Sequence, residues 1–386
     1  MARFRILDRL GRMKVTLAVR NLMRSRGRLW VSFFGIVFAS FLMGVQGSLL
    51  YSFTLASSRI VDAVDADLII IGKGIPTFDY VSPIPERYTY LAMGVDGVLN
   101  AGRGILGWAP IQRPNGGRTL ILLVGVEEAF RGRLPDLMHM AAARGQSNSA
   151  LAVDTTDAQR FSFLGKPRAV QIAARRGEII AKVHGFSSFI GSPYVFAKYV
   201  DAHQYLRLDR TQVSFLLVRV APQHDPIAVR DALRSRLSDV DVWTKSELST
   251  KSRQFWLVQT GAGGALSLAA ILGFCIGLVL VAQTIYSITA DNIEEYATLK
   301  AMGASNGDVR IIVLVQAYIC GILGGAAGLV MVRPFAALIQ PIVTWITVPP
   351  WIYVVVVFAL TILCFGAALI AARPALSIDP GRVFRA

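Results

Sequence analysis

Two long stretches without a single Asp, Glu, Lys or Arg, Gln254–Ala290 and Ile311–Val332, flank a short charged insert, Asp291–Ala304. Each stretch is long enough to cross a bilayer, which takes about 20 apolar residues. An insert this small between two spans has no room for a core or a catalytic domain. It can only dock onto something else. A third run, Leu29–Phe53, also qualifies as a span. A fourth, Pro334–Ala372, is too long for one helix, and Pro341, Pro349 and Pro350 interrupt it because proline removes a backbone donor and clashes with the preceding turn. A short interfacial or re-entrant piece up to about Val348 and then a span over 351–372 are expected. Trp345, Trp351 and Tyr353 mark the headgroup level.

At 54% hydrophobic and 17% charged the chain is too apolar for an ordinary soluble protein, where about 25% charged is usual. The bases are placed unevenly. Arg3, Arg5, Arg9, Arg12, Lys14, Arg20, Arg24, Arg26 and Arg28 precede the first span, opposed only by Asp8. Such a cluster holds the N-terminus in the cytosol, and four spans return the C-terminus there, with Arg373, Arg382 and Arg385. The insert is then cytosolic and Thr54–Arg253 lies outside. Because the excess charge is juxtamembrane, membrane lipid is its expected partner and nucleic acid is not. The apolar run of the first span is too long for a signal-peptide core, so it is read as uncleaved.

The chain reads as segment 1–28, basic and amphipathic at the cytosolic interface; span 29–53; an α/β domain 54–253; span 254–290 with a stalk; insert helix 291–304; span 307–333; an outer loop 334–350; span 351–372; and tail 373–386. The fold class is an α-helical membrane domain of four spans with a large mixed α/β domain between the first two. Strand-rich runs occur at Asp67–Ile71, Thr119–Val126, Ala169–Ala174, Ile179–Val183, Val213–Val220 and Val240–Trp243, with a helix from Asp225-Pro226 to Leu237. The alternation suggests two small subdomains, and 73–107, rich in Gly and Pro, is harder to place. A continuous helix over 255–290 would measure about 54 Å, more than the hydrocarbon core of about 30 Å. Gly261, Gly263 and Gly264 allow a hinge near its outer end. Cys275, Cys320 and Cys364 all fall in spans, so the α/β domain folds without disulfides.

The insert has its own local logic. Asp291 and Glu294 form an acidic variant of a capping box, Ala297, Leu299, Ala301 and Met302 favour helix, and Gly303 terminates it. Ser305 and Asp308 start the next span with similar chemistry. Tyr296, Leu299 and Met302 are expected to face the cytosol. In the spans, Gly273 and Gly277, and Gly321, Gly325 and Gly328, are spaced to let helices approach closely, within one subunit or between two.

The run Glu295-Tyr-Ala-Thr-Leu-Lys-Ala-Met-Gly303, after a long span and before a Gly-rich one, resembles the cytosolic helix of MacB/FtsX-type ABC permeases, with the wording of their DevC-like members. Leu17–Arg26 and Ala372–Pro380 resemble the segments before the first and after the last span of that family. The resemblance implies a homodimer in a bacterial inner membrane, each copy served by an ABC ATPase, so two ATPase copies in all. ATP and Mg are bound by that partner and no cofactor is bound by this chain. Glu294, Glu295, Tyr296, Leu299, Lys300, Met302 and Gly303 would form the ATPase contact. A periplasmic adaptor and an outer-membrane channel are further expected partners, and ATPase motion would pass through the spans to the outer domain. Cargo would be lipid-like or amphiphilic. The alternative is an FtsX-like signalling subunit that activates a cell-wall hydrolase without transport.

The sequence has no G-x-x-x-x-G-K-[ST] phosphate loop, so the ATPase is expected on another polypeptide. His139, His184, His203 and His224 lack metal-ligand spacing, no G-x-S-x-G elbow occurs, and no catalytic role or metal is expected. The last three spans have no ionisable residue at mid-depth, which speaks against an ion-coupled carrier.

Overall fold

Uncharged stretches of this length give long helices in the computed structural model, which describes residues 26–112, 116–143, 149–163 and 166–376. The expected basic segment 1–28, except its last residues, and the tail beyond Leu376 lie outside the described residues. Four described helices are long and apolar enough to cross a membrane. They run over Arg26–Ala56, Gly261–Asp291, Asn306–Ile339 and Pro350–Leu376, with the short helix Ile293–Ala301 between the second and third. A mixed α/β domain lies between the first and second. The described chain divides into a helical unit (up to Leu50, Ala265–Leu338 and from Thr347) and an α/β unit (Tyr51–Gly264 and Ile339–Ile346).

In the helical unit, glycine decides which helix touches which. A Cβ on Gly273 or Gly277 of the second long helix would meet Leu42 or Met43 of the first. On the third helix, Gly324 and Gly328 face Ile36 and Ser40 of the first, while Gly321 and Gly325 face Cys364 and Leu360 of the fourth. The third helix is thus packed on two sides within one chain, through two glycine pairs spaced four apart. Gly328 is the tightest: a Cβ there would lie 2.0 Å from Ser40 Oγ and 2.3 Å from the Val37 carbonyl.

Two expectations about the spans change. The stretch from Gln254 is not one continuous helix. A polar helix, Lys245–Gln254, passes into a π-turn, Phe255–Gln259; Thr260 is extended; and the long helix starts afresh at Gly261. Gly263 is required there, since a Cβ would sit 2.1 Å from the Trp256 carbonyl. The third helix does not stop before Pro334 but runs through it to Ile339. It ends just before the residue preceding Pro341, where the helical conformation is disfavoured. Of the following segment, Ile339–Ile346 groups with the α/β unit. Ser187 Oγ donates to the Thr344 carbonyl at 3.0 Å, and Trp345 packs edge-on against Phe53.

The α/β domain carries strands β1 Leu68–Gly72, β2 Ile84–Pro85, β3 Val98–Gln112, β4 Arg118–Val126, β5 Ala150–Asp154, β6 Arg168–Ile172, β7 Arg175–Val183, β8 Tyr194–Lys198, β9 Gln212–Val213, β10 Phe215–Val220 and β11 Val240–Thr244. Nine of them form one sheet, ordered β11-β1-β10-β3-β4-β8-β5-β7-β6, and β6 also pairs with β3. The strands from β3 round to β6 therefore close into a ring, while β10, β1 and β11 extend from the other half of β3. The two expected subdomains are one sheet with a shared strand. Its faces are both buried: Leu68 and Ile70 enter one core cluster, Ile69 and Ile71 another. That is why β1 reads as an unbroken apolar run rather than an alternating one.

The end of the Gly- and Pro-rich stretch 73–107 falls in the shared strand β3. Gly102, Gly104 and Gly107 give it a loop-like composition, yet Phe130, Phe215 and Leu206 lie so close over them that any Cβ would clash. Glycine inside a strand marks such a close approach.

Candidate coupling surface

The insert begins where the second long helix ends at Asp291. Asn292 leaves helical geometry (φ −104°, ψ 18°) and serves as the N-cap of Ile293–Ala301, without a side-chain capping bond. The N-cap is therefore Asn292 and not the expected Asp291. Asp291 is still within the preceding helix, and Asn292 Nδ2 donates back to the Ile288 carbonyl at 2.7 Å.

The C-terminal stop is well defined. Gly303 is left-handed (φ +97°), its N–H donates to Lys300 O, and the Ala304 N–H donates to Leu299 O, both at 3.0 Å. This pair of bonds is the Schellman arrangement. Next, Ser305 N donates to Asp308 Oδ2 at 2.9 Å and Asp308 N to Ser305 Oγ at 3.2 Å, a reciprocal cap for the third long helix. The C-terminal end of the short helix and the start of the next are thus fixed by geometry that small or polar residues supply.

One face of the helix is anchored. Tyr296 and Ala297 are buried, and Tyr296 belongs to the core cluster that holds Ile288, Val309, Ile312 and Ala372. The Tyr296 hydroxyl donates to Gln316 Oε1 at 2.8 Å, and Gln316 is itself buried in the third helix. Burial pushes the Tyr296 phenol up to about 12, so it stays protonated and donating. Tyr296 was expected to face the cytosol. Its side chain supports the helix from beneath, because an aromatic ring with one satisfied polar tip is better buried than exposed.

The opposite face is open. Glu294, Thr298, Ala301, Met302 and Gly303 are exposed, Met302 at 72%. Glu295, Leu299 and Lys300 are half-buried at the margin, and Leu299 packs against the helical core. The sequence-derived set thus splits into Glu294, Met302 and Gly303 outward, Glu295, Leu299 and Lys300 at the edge, and Tyr296 inward. The glycine set Gly273, Gly277, Gly321, Gly325 and Gly328 faces neighbouring helices of the same chain.

A second constellation carries no sequence signal. Asp79, buried in the α/β domain, accepts from Trp256 Nε1 at 3.0 Å and from the Tyr194 hydroxyl at 3.1 Å. Burial raises its carboxyl to about 6 against the pull of those donors. Nearby in the chain, Arg253 donates to Ser58 Oγ and Asp62 Oδ2, both at 2.8 Å. Residues just before the second long helix are thereby tied to residues just after the first and to β8. Trp256, in the expected span and stalk 254–290, is a buried member of the α/β unit, on the N-terminal side of the break at Thr260.

Residues 267–380 match the family model described as FtsX-like permease C-terminal. That match takes in most of the second long helix, the insert and the two helices after it. No curated protein matches the chain. Among solved structures the chain is similar to the periplasmic region of MacB from Actinobacillus actinomycetemcomitans, at 11% identity and a TM-score of 0.36, over 49% of this chain and 94% of that one. It is also similar to the extracellular domain of the noncanonic ABC-type transporter YknZ from Gram-positive bacteria, at 12% identity and a TM-score of 0.33, over 46% and 99%. Scores this low carry no weight for this chain. The chain is a membrane protein by its four long apolar helices, and residues 267–380 match the model of the family that the Glu295–Gly303 run resembles.

Proposed function

We propose that this chain is the membrane subunit of an ATP-driven exporter in a bacterial inner membrane, with both termini and the short helix Ile293–Ala301 in the cytosol. Two copies pair, and each receives a separate ABC ATPase that binds ATP and Mg. The ATPase docks on the outward face of the short helix, and its closure moves the long helices and, through them, the α/β domain. A periplasmic adaptor and an outer-membrane channel complete the route for a lipid-like or amphiphilic cargo. The observation that carries this reading is a two-faced helix: Tyr296 anchored to Gln316 beneath, Glu294 and Met302 open above, and a Schellman stop and a polar cap immediately after it. A rigid surface transmits displacement; a frayed loop would absorb it.

The test is a paired substitution on the open face, Glu294→Lys with Met302→Asp. ATPase activity copurifying with the tagged chain should fall about tenfold, while thermal stability should stay within about 0.5 kcal/mol of the parent, as surface changes do. Full retention of copurifying ATPase and of cargo export would overturn the docking assignment. ATPase retained without export, with altered cell-wall cleavage, would point to signalling. Leu299→Asp is a poorer choice, because Leu299 packs against the core.

A further inference from the structure

Two cavities in the α/β domain share a wall and differ in character. The first, about 480 Å³, lies between β4, β8 and the Leu137–Ala142 helix, with Leu134, Met138 and Val200 on its apolar surface. Met138 is 55% exposed and Val200 63%. Met138 and Val200 line the same cavity together with Leu134, Leu137 and Phe196, so their exposed surface continues an apolar wall instead of standing alone. The second, about 640 Å³, is lined by Arg175, Arg207 and Arg210 with His203, and by Glu86, whose carboxylate is taken up by Arg103. Both volumes lie within the range of ligand sites.

Arg103, Tyr199 and Val200 line both cavities. Arg103 is not available to a ligand's charge, since it is paired with Glu86 and Glu127 and lies over the Tyr199 ring. It forms a neutralised divider between an apolar end and a basic end.

The basic end is uncompensated. Arg175 donates to Gln204 Oε1 at 2.9 Å and Arg207 to the Ala173 carbonyl at 3.1 Å, both neutral acceptors. Among the described residues no carboxylate lies within ion-pairing distance of Arg175, Arg207 or Arg210. Arg207 also adopts a left-handed backbone (φ +51°), which is uncommon outside glycine. Strain of this kind clusters at ligand clamps. Guanidinium groups suit the planar, multidentate oxygens of phosphate or carboxylate.

We infer that the two adjoining cavities bind one anionic amphiphile lying across the Tyr199 and Val200 side chains they share, with its alkyl chain along Leu134, Met138 and Val200 and its acidic headgroup among Arg175, Arg207 and Arg210. That this molecule is cargo rests on the export reading above; its binding does not.

The experiment uses the full chain in nanodiscs of zwitterionic lipid and a diazirine-bearing dodecyl phosphate as photolabel. Label should map to peptides containing Leu134–Met138 and Tyr199–Val200. Charge reversal, Arg175→Glu with Arg207→Glu and Arg210→Glu, should cut labelling there about tenfold, and the triple Arg→Lys variant should retain most of it. Met138→Asp with Val200→Asp should also cut it about tenfold. Unlabelled dodecyl phosphate should compete, and inorganic phosphate at the same concentration should not. Label confined to the long helices, labelling unchanged by charge reversal, or equal competition by inorganic phosphate would overturn the assignment. So would a charge reversal that releases an acidic partner protein while leaving labelling intact. No ATPase is needed, so loss of ATP-coupled export with labelling preserved counts against the proposed function alone.

Discussion

The two units of this chain bury themselves by different rules. In the α/β domain both faces of the sheet are covered, and the strands from β3 to β6 close on themselves. In the helical unit the second long helix is only 17% buried over its most apolar window, against 50% for the third. Leu268, Ile271, Leu272, Phe274 and Val279 lie open on it. In water that surface would be untenable, but lipid tails are as apolar as leucine and drive no burial. An exposed apolar side chain therefore means little in one unit and a great deal in the other. Met138 and Val200 are informative; Leu272 is not.

The contrast predicts where a single added group is most damaging. Gly328→Leu should destabilise the helical unit by about 3 kcal/mol or more, because backbone atoms of Val37 and Phe41 cannot move aside as a side chain would. Gly366→Leu, with no atom within 4 Å, should be nearly silent. Equal membrane yields and unfolding temperatures for the two variants would show that close helix approach does not govern this unit.

A smaller effect should come from the one buried polar pair beneath the short helix. Tyr296→Phe leaves Gln316 without its donor and should cost about 1–3 kcal/mol. Adding Gln316→Leu should recover part of that loss, since a pair replaced by apolar groups leaves nothing unsatisfied. If the double variant is as unstable as the sum of the singles in thermal unfolding, the hydrogen bond is not what anchors the helix.

The smallest expected effect belongs to the α/β domain and depends on pH. Asp79 has its carboxyl raised to about 6, against about 3.9 when unfolded. Its folded state favours the protonated form, so that stability is fully present below about pH 3.9 and is lost as pH rises through about 6. The unfolding temperature should fall by about 4–7 °C between pH 4.5 and 6.5 from Asp79 alone. Asp79→Asn should flatten this slope and leave the share of Asp157, whose carboxyl burial also raises to about 6. An unchanged slope in Asp79→Asn would assign the whole effect elsewhere.

Legibility followed the same division. The uncharged runs announced the long helices, and Asp225-Pro226 announced its helix, which forms over Pro226–Arg236 with Asp225 Oδ1 accepting from the Ile227 N–H. The Gly303 stop and the Ser305–Asp308 cap were readable because local bonding decides them. Strand β3 was not, since its glycines answer to Phe130 and Phe215, remote in sequence. The core position of Trp256 was not legible, because an uncharged neighbourhood looks alike in a span and in a core. Tyr296 was turned the wrong way, because helical spacing identifies faces without saying which face has a partner.

From sequence alone came the four membrane-length helices, the α/β domain between the first two, the short charged helix and the family resemblance of the C-terminal part. All of these depend on composition and on contacts a few residues apart, which a linear chain records directly. Tertiary structure alone decided the closure of β6 onto β3, the burial of Tyr296 on Gln316, the tie from Asp79 to Trp256 and the meeting of an apolar cavity with a basic one. Each requires groups distant in the chain to meet, and sequence spacing holds no measure of that distance.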